Sequence, residues 1–174
     1  GEYREYAVNS RYLSTGLTPR LAKKDFNQRF PRESKKNELY IMNDTLKAAY
    51  LDTDYIVSDD PPLGLRIGEK NADAQILLAS FGVNCAAFIT AWNPGSTHLS
   101  DEQNDDRQAQ LLAEIELVRL NYLVGYGERE DWREYSYLIL GIDQSDATEL
   151  AKKFSQNAYV WLGDDGVPEL VCIN

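Results

Sequence analysis

The sequence holds few of the residues that carry the commonest enzyme chemistries. Its 174 residues include one histidine and two cysteines, which excludes a zinc site with the usual Cys/His spacing. The chain also lacks the G-x-S-x-G nucleophile elbow and the glycine-rich motifs that bind nucleotide phosphates. The histidine, His98, lies two residues after Ser96 in a loop, too close in sequence for a hydrolase triad. We therefore predict no catalytic residue, metal or cofactor, and we interpret the chain as a binding protein rather than an enzyme.

Long apolar runs are absent as well. No stretch approaches the roughly 20 apolar residues that cross a bilayer, and the opening GEYREYAVNS is too polar for a secretory signal. Cys85 and Cys172 lie in strand-like segments and are predicted to be small core residues of a protein in a reducing compartment. We expect no membrane association, and the predicted localisation is cytoplasmic.

Charge of both signs is present, but it is unevenly distributed along the chain. Residues 1–41 have nine Lys/Arg and five Asp/Glu, a net charge of +4, whereas residues 42–174 have nine Lys/Arg and 23 Asp/Glu, a net charge of −14. We predict two parts: a basic N-terminal arm or extension, residues 1–41, and a single acidic domain, residues 42–174. The acidic domain should repel nucleic acid and anionic membranes, so nucleic-acid binding is expected only through the arm.

The acidic domain has alternating strand and helix patterns. Apolar segments of strand length predict strands, and Ser, Asn or Asp caps before apolar residues at spacings of three and four predict helices. Ser100-Asp-Glu-Gln103 predicts a capping box at the start of one of these helices. The predicted strands are residues 53–58, 63–67, 85–91, 122–126, 135–142, 158–162 and 169–173, and the predicted helices end near residues 50, 81, 120 and 154. Strand, helix, two strands, helix, strand is the order of a split β-α-β unit. We predict an α+β fold with a mixed or mainly antiparallel sheet, helices packed on one face and a split β-α-β core.

A series of short motifs runs through the acidic domain, from about residue 44 to residue 171. They include Ala49-Tyr50, Thr53-Asp-Tyr55, Arg66-Ile-Gly68, Phe88-Ile-Thr-Ala-Trp-Asn-Pro94, Asn104 with Arg107 and Leu111, Trp132 with Glu134 and Ser136, Leu140-Gly-Ile142, and Phe154 with Gln156-Asn-Ala158. In order and spacing these motifs resemble the bacterial family known as domain of unknown function 3293 (DUF3293). The resemblance implies a small bacterial cytoplasmic protein, and it implies no reaction.

The end of the strand over residues 85–91 is the strongest candidate for a functional site. It leads into the turn Trp92-Asn-Pro-Gly-Ser96, and scaffolds often place recognition residues on loops at strand ends. Asn104 and Arg107 continue the buried stripe of the next helix with polar groups at its N-terminal end. Amides and a guanidinium in one place can bind a small polar or anionic ligand. The predicted ligand-binding residues are Trp92, Asn93, Ser96, Asn104, Arg107 and Glu134.

The same residues also have a purely structural interpretation, which the sequence leaves open. Asn93 would cap the turn, and Arg107 would pair with an acid such as Glu134 or Asp131 and hold the loop in place. In that case the polar groups stabilise the fold and bind nothing.

Two function classes therefore remain. The first is a non-catalytic module whose acidic surface docks a basic protein partner, as inhibitors and immunity proteins of basic toxins do. The second is a small-ligand-binding protein, or an enzyme of unrecognised type, that uses the cleft between Asn93 and Arg107. The eleven tyrosines and three tryptophans are expected mainly at core and rim positions, although such residues also anchor protein interfaces.

Overall fold

The computed structural model describes residues 42–173, so the predicted arm over residues 1–41 lies outside the described part of the chain. Within that part, strands and helices alternate much as the patterns predict. The helices are α1 (Asp44–Leu51), α2 (Ala72–Ser80), α3 (Asp101–Leu117) and α4 (Gln144–Lys153). The strands are β1 (Asp54–Val57), β2 (Leu63–Leu65), β3 (Ala86–Ile89), β4 (Tyr122–Arg129), β5 (Trp132–Leu140), β6 (Ala158–Leu162) and β7 (Pro168–Cys172).

The strands form one seven-stranded sheet in the order β2-β1-β4-β5-β3-β6-β7. Every neighbouring pair is antiparallel. The central strands and the two longest helices follow the order β3-α3-β4-β5-α4-β6, and β3 lies between β5 and β6. This is the split β-α-β arrangement, which confirms the α+β class, the mainly antiparallel sheet and the predicted core. The β1-β2 and β6-β7 hairpins extend the sheet at its two ends.

Successive side chains along each strand point to opposite faces of the sheet, and each face is covered by an apolar layer. Ala87 and Ile89 of β3 pack with residues of α3 and α4. Ala86 and Phe88 pack instead with residues of α2 and of the β1-β2 hairpin. The two long helices thus share one face, as predicted, while the short helix α2 lies on the other. The β1-β2 hairpin presents apolar side chains on that second face, and α2 removes them from water.

Helix starts agree closely with the sequence signals, whereas one turn does not. Ser100 and Gln103 form the complete capping box of α3. The predicted strands over residues 122–126 and 135–142 are wrong at their facing ends, because β4 and β5 extend through the segment between them and leave only Glu130 and Asp131 as a tight turn. Glu130 has a φ of 53°, which places it in the left-handed region that such a turn needs.

The cysteines also differ from expectation. Both are free thiols, but Cys172 is exposed on β7 and Cys85 is half-buried just before β3. Neither is therefore the fully buried core residue that its segment predicts. None of the helices in residues 42–173 combines the length and the apolar character that crossing a bilayer requires.

Candidate functional site

The loop between β3 and α3 carries most of the predicted site residues, and its backbone is unusual. Asn93 has φ 46° and ψ 63°, and Ser96 has a φ of 60°, so two non-glycine residues occupy the left-handed region. Such conformations cost on the order of 1–3 kcal/mol and persist only where surrounding contacts hold them. The contacts in this loop are correspondingly dense.

Asn93 and Asn104 hold the loop against the start of α3. The backbone N–H of Asn93 donates to Oδ1 of Asn104 over 2.8 Å, and Nδ2 of Asn104 donates back to Oδ1 of Asn93 over 3.0 Å. The same Oδ1 of Asn93 accepts from the N–H of Leu99 at 2.9 Å. Asn104 is almost fully buried. Both amides are therefore engaged within the protein, and together they fix the strand-to-helix connection.

Arg107 joins the ends of two other segments. Its Nε donates to the carbonyl of Ala91 over 2.7 Å, and its Nη2 donates to the carbonyl of Phe154, the C-cap residue that follows α4. A guanidinium is well suited to this task because its planar donors are fixed relative to one another. The structural interpretation is thus wrong about the partner of Arg107, which is a pair of backbone carbonyls and not an acid. It is right that Arg107 holds the loop in place.

Two buried glutamines complete this arrangement, and they were missed as site residues from the sequence. Oε1 of Gln108 accepts from the N–H of Ala91 at 3.0 Å, and Nε2 of Gln156 donates to the carbonyl of Trp92 at 3.0 Å. Gln108 follows Asn104 by four residues on the buried side of α3, and this spacing was the available signal. We call these two glutamines and the six predicted residues the loop cluster.

Glu134 of β5 reaches the loop cluster from the side. Its Oε1 accepts from Nδ2 of Asn93 over 2.7 Å. Burial raises the pKa of Glu134 to about 7, and the hydrogen bond from Asn93 opposes that rise. Glu134 is therefore a half-buried carboxyl group that changes its charge near neutral pH. Of the groups in the loop cluster, it is the one best suited to acid–base chemistry.

Trp92 and Ser96 lie at opposite ends of the loop. The ring of Trp92 makes an edge contact with Tyr135, with 5.4 Å between centroids, and its buried Nε1 has no hydrogen-bond partner among residues 42–173. Oγ of Ser96 accepts from Nδ2 of Asn157 at 2.8 Å. The structure thus gathers all six predicted residues around one loop. Their role as ligand-binding residues stays a prediction.

Carboxyl, thiol and imidazole groups are scarce in the loop cluster. The part of the chain described here, residues 42–173, contains no group of three or more His, Cys, Asp or Glu side chains placed to hold a metal ion. The only carboxyl group of the loop cluster, Glu134, is bound to an amide.

Comparison with known proteins adds a similarity to one family and no activity. The model of the family described as protein of unknown function (DUF3293) matches residues 89–159. The match confirms the resemblance to that family, and it spans all eight residues of the loop cluster. The motifs before residue 89 lie outside it. No curated protein and no solved structure matches the chain.

Proposed function

We propose that this protein is a non-catalytic binding module whose acidic surface docks a basic protein partner, in the manner of an inhibitor or immunity protein. The observation that carries the proposal is the charge of residues 42–174, with 23 Asp/Glu against nine Lys/Arg. A field of this sign speeds the encounter with a basic partner and disfavours acidic ones.

Most basic residues of the domain already have a partner within the protein. They are therefore not available to neutralise the remaining carboxylates. Exposed or half-exposed ion pairs engage Arg66, Arg129, Arg133, Lys152 and Lys153. Arg107 is bound to carbonyl groups. Even complete pairing of all nine cations would leave 14 carboxylates over.

Many of these carboxylates lie where a partner can reach them. Asp101, Glu102 and Asp106 are exposed along the first turns of α3. Asp164 and Asp165 are exposed in the turn between β6 and β7. Surface carboxylates of this kind steer association and give it a marked dependence on salt.

The proposal is tested with full-length protein used to capture partners from its cells of origin at low and high salt. The expected result is a basic protein that is released by salt and that, once purified, binds in a saturable one-to-one complex. Recovery of no basic protein, or of one that binds only without saturation, contradicts a docking function. The variants Glu102→Gln/Asp106→Asn and Asp164→Asn/Asp165→Asn each remove two exposed carboxylates from a different surface, and the slower association of one than of the other shows which surface the partner approaches.

A small-ligand site at the loop cluster is the second candidate, and Glu134 is the observation that favours it. A half-buried carboxyl group with a pKa of about 7 can accept or donate a proton at neutral pH. The amides and the guanidinium beside it are engaged with the protein's own groups, which weighs against an anion clamp at Arg107. A small molecule that raises the melting temperature of the native protein and not of Glu134→Gln supports this candidate.

A further inference from the structure

The β4-β5 hairpin carries an aromatic surface on one side of the sheet. The strand register places Tyr122, Val124 and Tyr126 of β4 on the same face as Tyr135 and Tyr137 of β5. All five are half-buried. We call these five residues the tyrosine face.

The middle of the opposite side of the same hairpin is closed. Gly125 and Gly127 point to that side, and a methyl group at Gly125 would collide with the ring of Phe88 and the carbonyl of Ile56. The ring of Tyr55 lies next to Gly127, 3.6 Å from the position of an added methyl group, which is ordinary van der Waals contact. The rings of Phe88 and Tyr55 thus cover one side of the hairpin, while the tyrosine face on the other side keeps contact with solvent.

The rings of the tyrosine face are ordered by edge contacts. Tyr122 and Tyr137 have centroids 5.4 Å apart, and Tyr126 and Tyr135 have centroids 6.5 Å apart. Tyr122 and Tyr137 also pack against the core under α3, so the face continues an apolar layer outward. Rigid, half-exposed tyrosines have few rotamers to lose on binding, and for that reason they dominate interface anchors.

The tyrosine face already holds one cation. The guanidinium carbon of Arg133 lies 4.2 Å from the centroid of Tyr126, and its Nη2 donates to Glu128 over 2.7 Å. The guanidinium thus makes a cation–π contact with the ring and a hydrogen bond with a carboxylate at the same time. Further acids lie along the margin of the face. Glu116 accepts from the hydroxyl of Tyr122 at 3.5 Å, and Asp54, which also pairs with Arg66, is opposite Glu128 across β1 and β4.

We propose that the tyrosine face is the docking surface for a basic protein segment whose arginines stack on the tyrosine rings and pair with the marginal acids. This inference rests on the proposed docking function and adds to it a place and a partner chemistry. Arginine is preferred to lysine because its planar guanidinium stacks on a ring and pairs with a carboxylate at the same time.

The test uses the full chain and a fluorescent peptide of alternating arginine and glycine, with alternating lysine and glycine as its counterpart. We expect salt-sensitive binding of the arginine peptide that is stronger than that of the lysine peptide. Tyr126→Ala should weaken it about tenfold, as loss of an interface anchor does, and Tyr126→Phe should retain most of it because the ring remains. Thermal melting of each variant checks that it is folded.

Trp132→Ala is the matched control, since Trp132 is an exposed aromatic residue on the same hairpin but on the other side of β5. It should leave peptide binding unchanged. If binding is salt-sensitive but equal in native protein, Tyr126→Ala and Trp132→Ala, the acidic docking function stands and the tyrosine face is wrong. If the native chain binds neither peptide, both proposals are wrong for this partner class.

A second measurement identifies the source of the basic segment. A photo-reactive benzoylphenylalanine at position 126 of the full chain should crosslink to the arginine peptide when it is added. Crosslinks that form only to residues 1–41 of the same chain, and persist with excess peptide, would mean that the basic N-terminal residues occupy the face. That outcome overturns the proposal of an external partner.

Discussion

The loop cluster and the tyrosine face adjoin one another through the contact between Trp92 and Tyr135, yet they use their functional groups differently. In the loop cluster, amides and the guanidinium of Arg107 bind backbone groups of the same chain. In the tyrosine face, aromatic rings stand half-exposed beside carboxylates. The first region has the residue types of a ligand site and the contacts of a structural one, whereas the second has the exposure and charge of an interface.

The difference teaches that residue type alone is a poor guide to which polar group is available. Arg107 and Asn104 are attractive as anion ligands in the sequence, but a loop with residues in the left-handed region needs many hydrogen bonds to hold it. Those bonds consume the donors. The two regions should therefore respond differently to substitution: the loop cluster through stability and the tyrosine face through binding.

Arg107→Ala should produce the largest loss of stability. The substitution leaves the carbonyls of Ala91 and Phe154 without the donors that join them, and each lost charged hydrogen bond costs about 1.5–3 kcal/mol. We expect the free energy of unfolding to fall by about 3 kcal/mol in urea denaturation. Arg129→Ala is the control, since within the described residues Arg129 makes a single long surface pair, with Asp52, and the substitution should change stability by less than about 0.5 kcal/mol. Equal stability of both variants would mean that Arg107 is not needed to hold the loop and is available to bind a ligand.

Substitution of Asn93 should have the next largest effect on stability. Two variants separate the contribution of its side-chain hydrogen bonds from the cost of its backbone conformation. Asn93→Ala loses three side-chain hydrogen bonds and keeps a Cβ at a positive φ, and we expect a loss of about 2 kcal/mol. Asn93→Gly loses the same bonds but relieves the backbone, so it should be about 1 kcal/mol more stable than the alanine variant. Chemical denaturation of both variants measures the two terms.

The control for Asn93 is Asn157→Ala, which removes a single exposed hydrogen bond to Ser96. We expect its effect to lie within about 0.5 kcal/mol. An Asn93→Ala variant as stable as this control would mean that the hydrogen bonds of the loop cluster contribute little, and the contrast between the two regions would disappear.

The sequence predicts the scaffold better than the contacts made on it. Periodicity and caps place the helices, and the capping box at Ser100 is correct in both of its bonds, because these signals are local. The partners of Arg107 lie 16 and 47 residues away and are backbone carbonyls, which no residue pattern marks. The turn at Glu130 was missed for a related reason: it carries neither Asn-Gly nor Asp-Gly, the pairs that identify a tight hairpin.

The tyrosine face was foreseen only as a surplus of tyrosines. Its residues alternate along β4 and β5, and their alignment depends on the register that pairs Tyr126 with Tyr135. A shift of one residue in either strand would turn half of the rings to the other side. Because the predicted strands stopped at residue 126 and began again at residue 135, the segment that fixes this register was missing from the prediction.

Glu134 lies on β5 and reaches the loop cluster, and its titration should give the smallest effect. Burial raises its folded-state pKa from 4.5 to about 7, so between these pH values the folded protein holds a proton that the unfolded chain has released. The stability that this group contributes is complete below pH 4.5 and is lost as the pH rises through 7. A shift of this size corresponds to at most about 3 kcal/mol, and partial exposure reduces the expected loss to roughly 1–2 kcal/mol.

Glu134→Gln should remove that loss, because the amide oxygen still accepts from Asn93 and no longer ionises. The difference in unfolding free energy between native protein and variant, measured from pH 4 to pH 8, isolates the group from other titrations. Glu130→Gln, in the exposed turn of the same hairpin, controls for the loss of one carboxylate. Parallel profiles for native protein and Glu134→Gln would mean that Glu134 is fully hydrated. The loop cluster would then be open to water beside Asn93, and the small-ligand candidate would lose the observation that favours it.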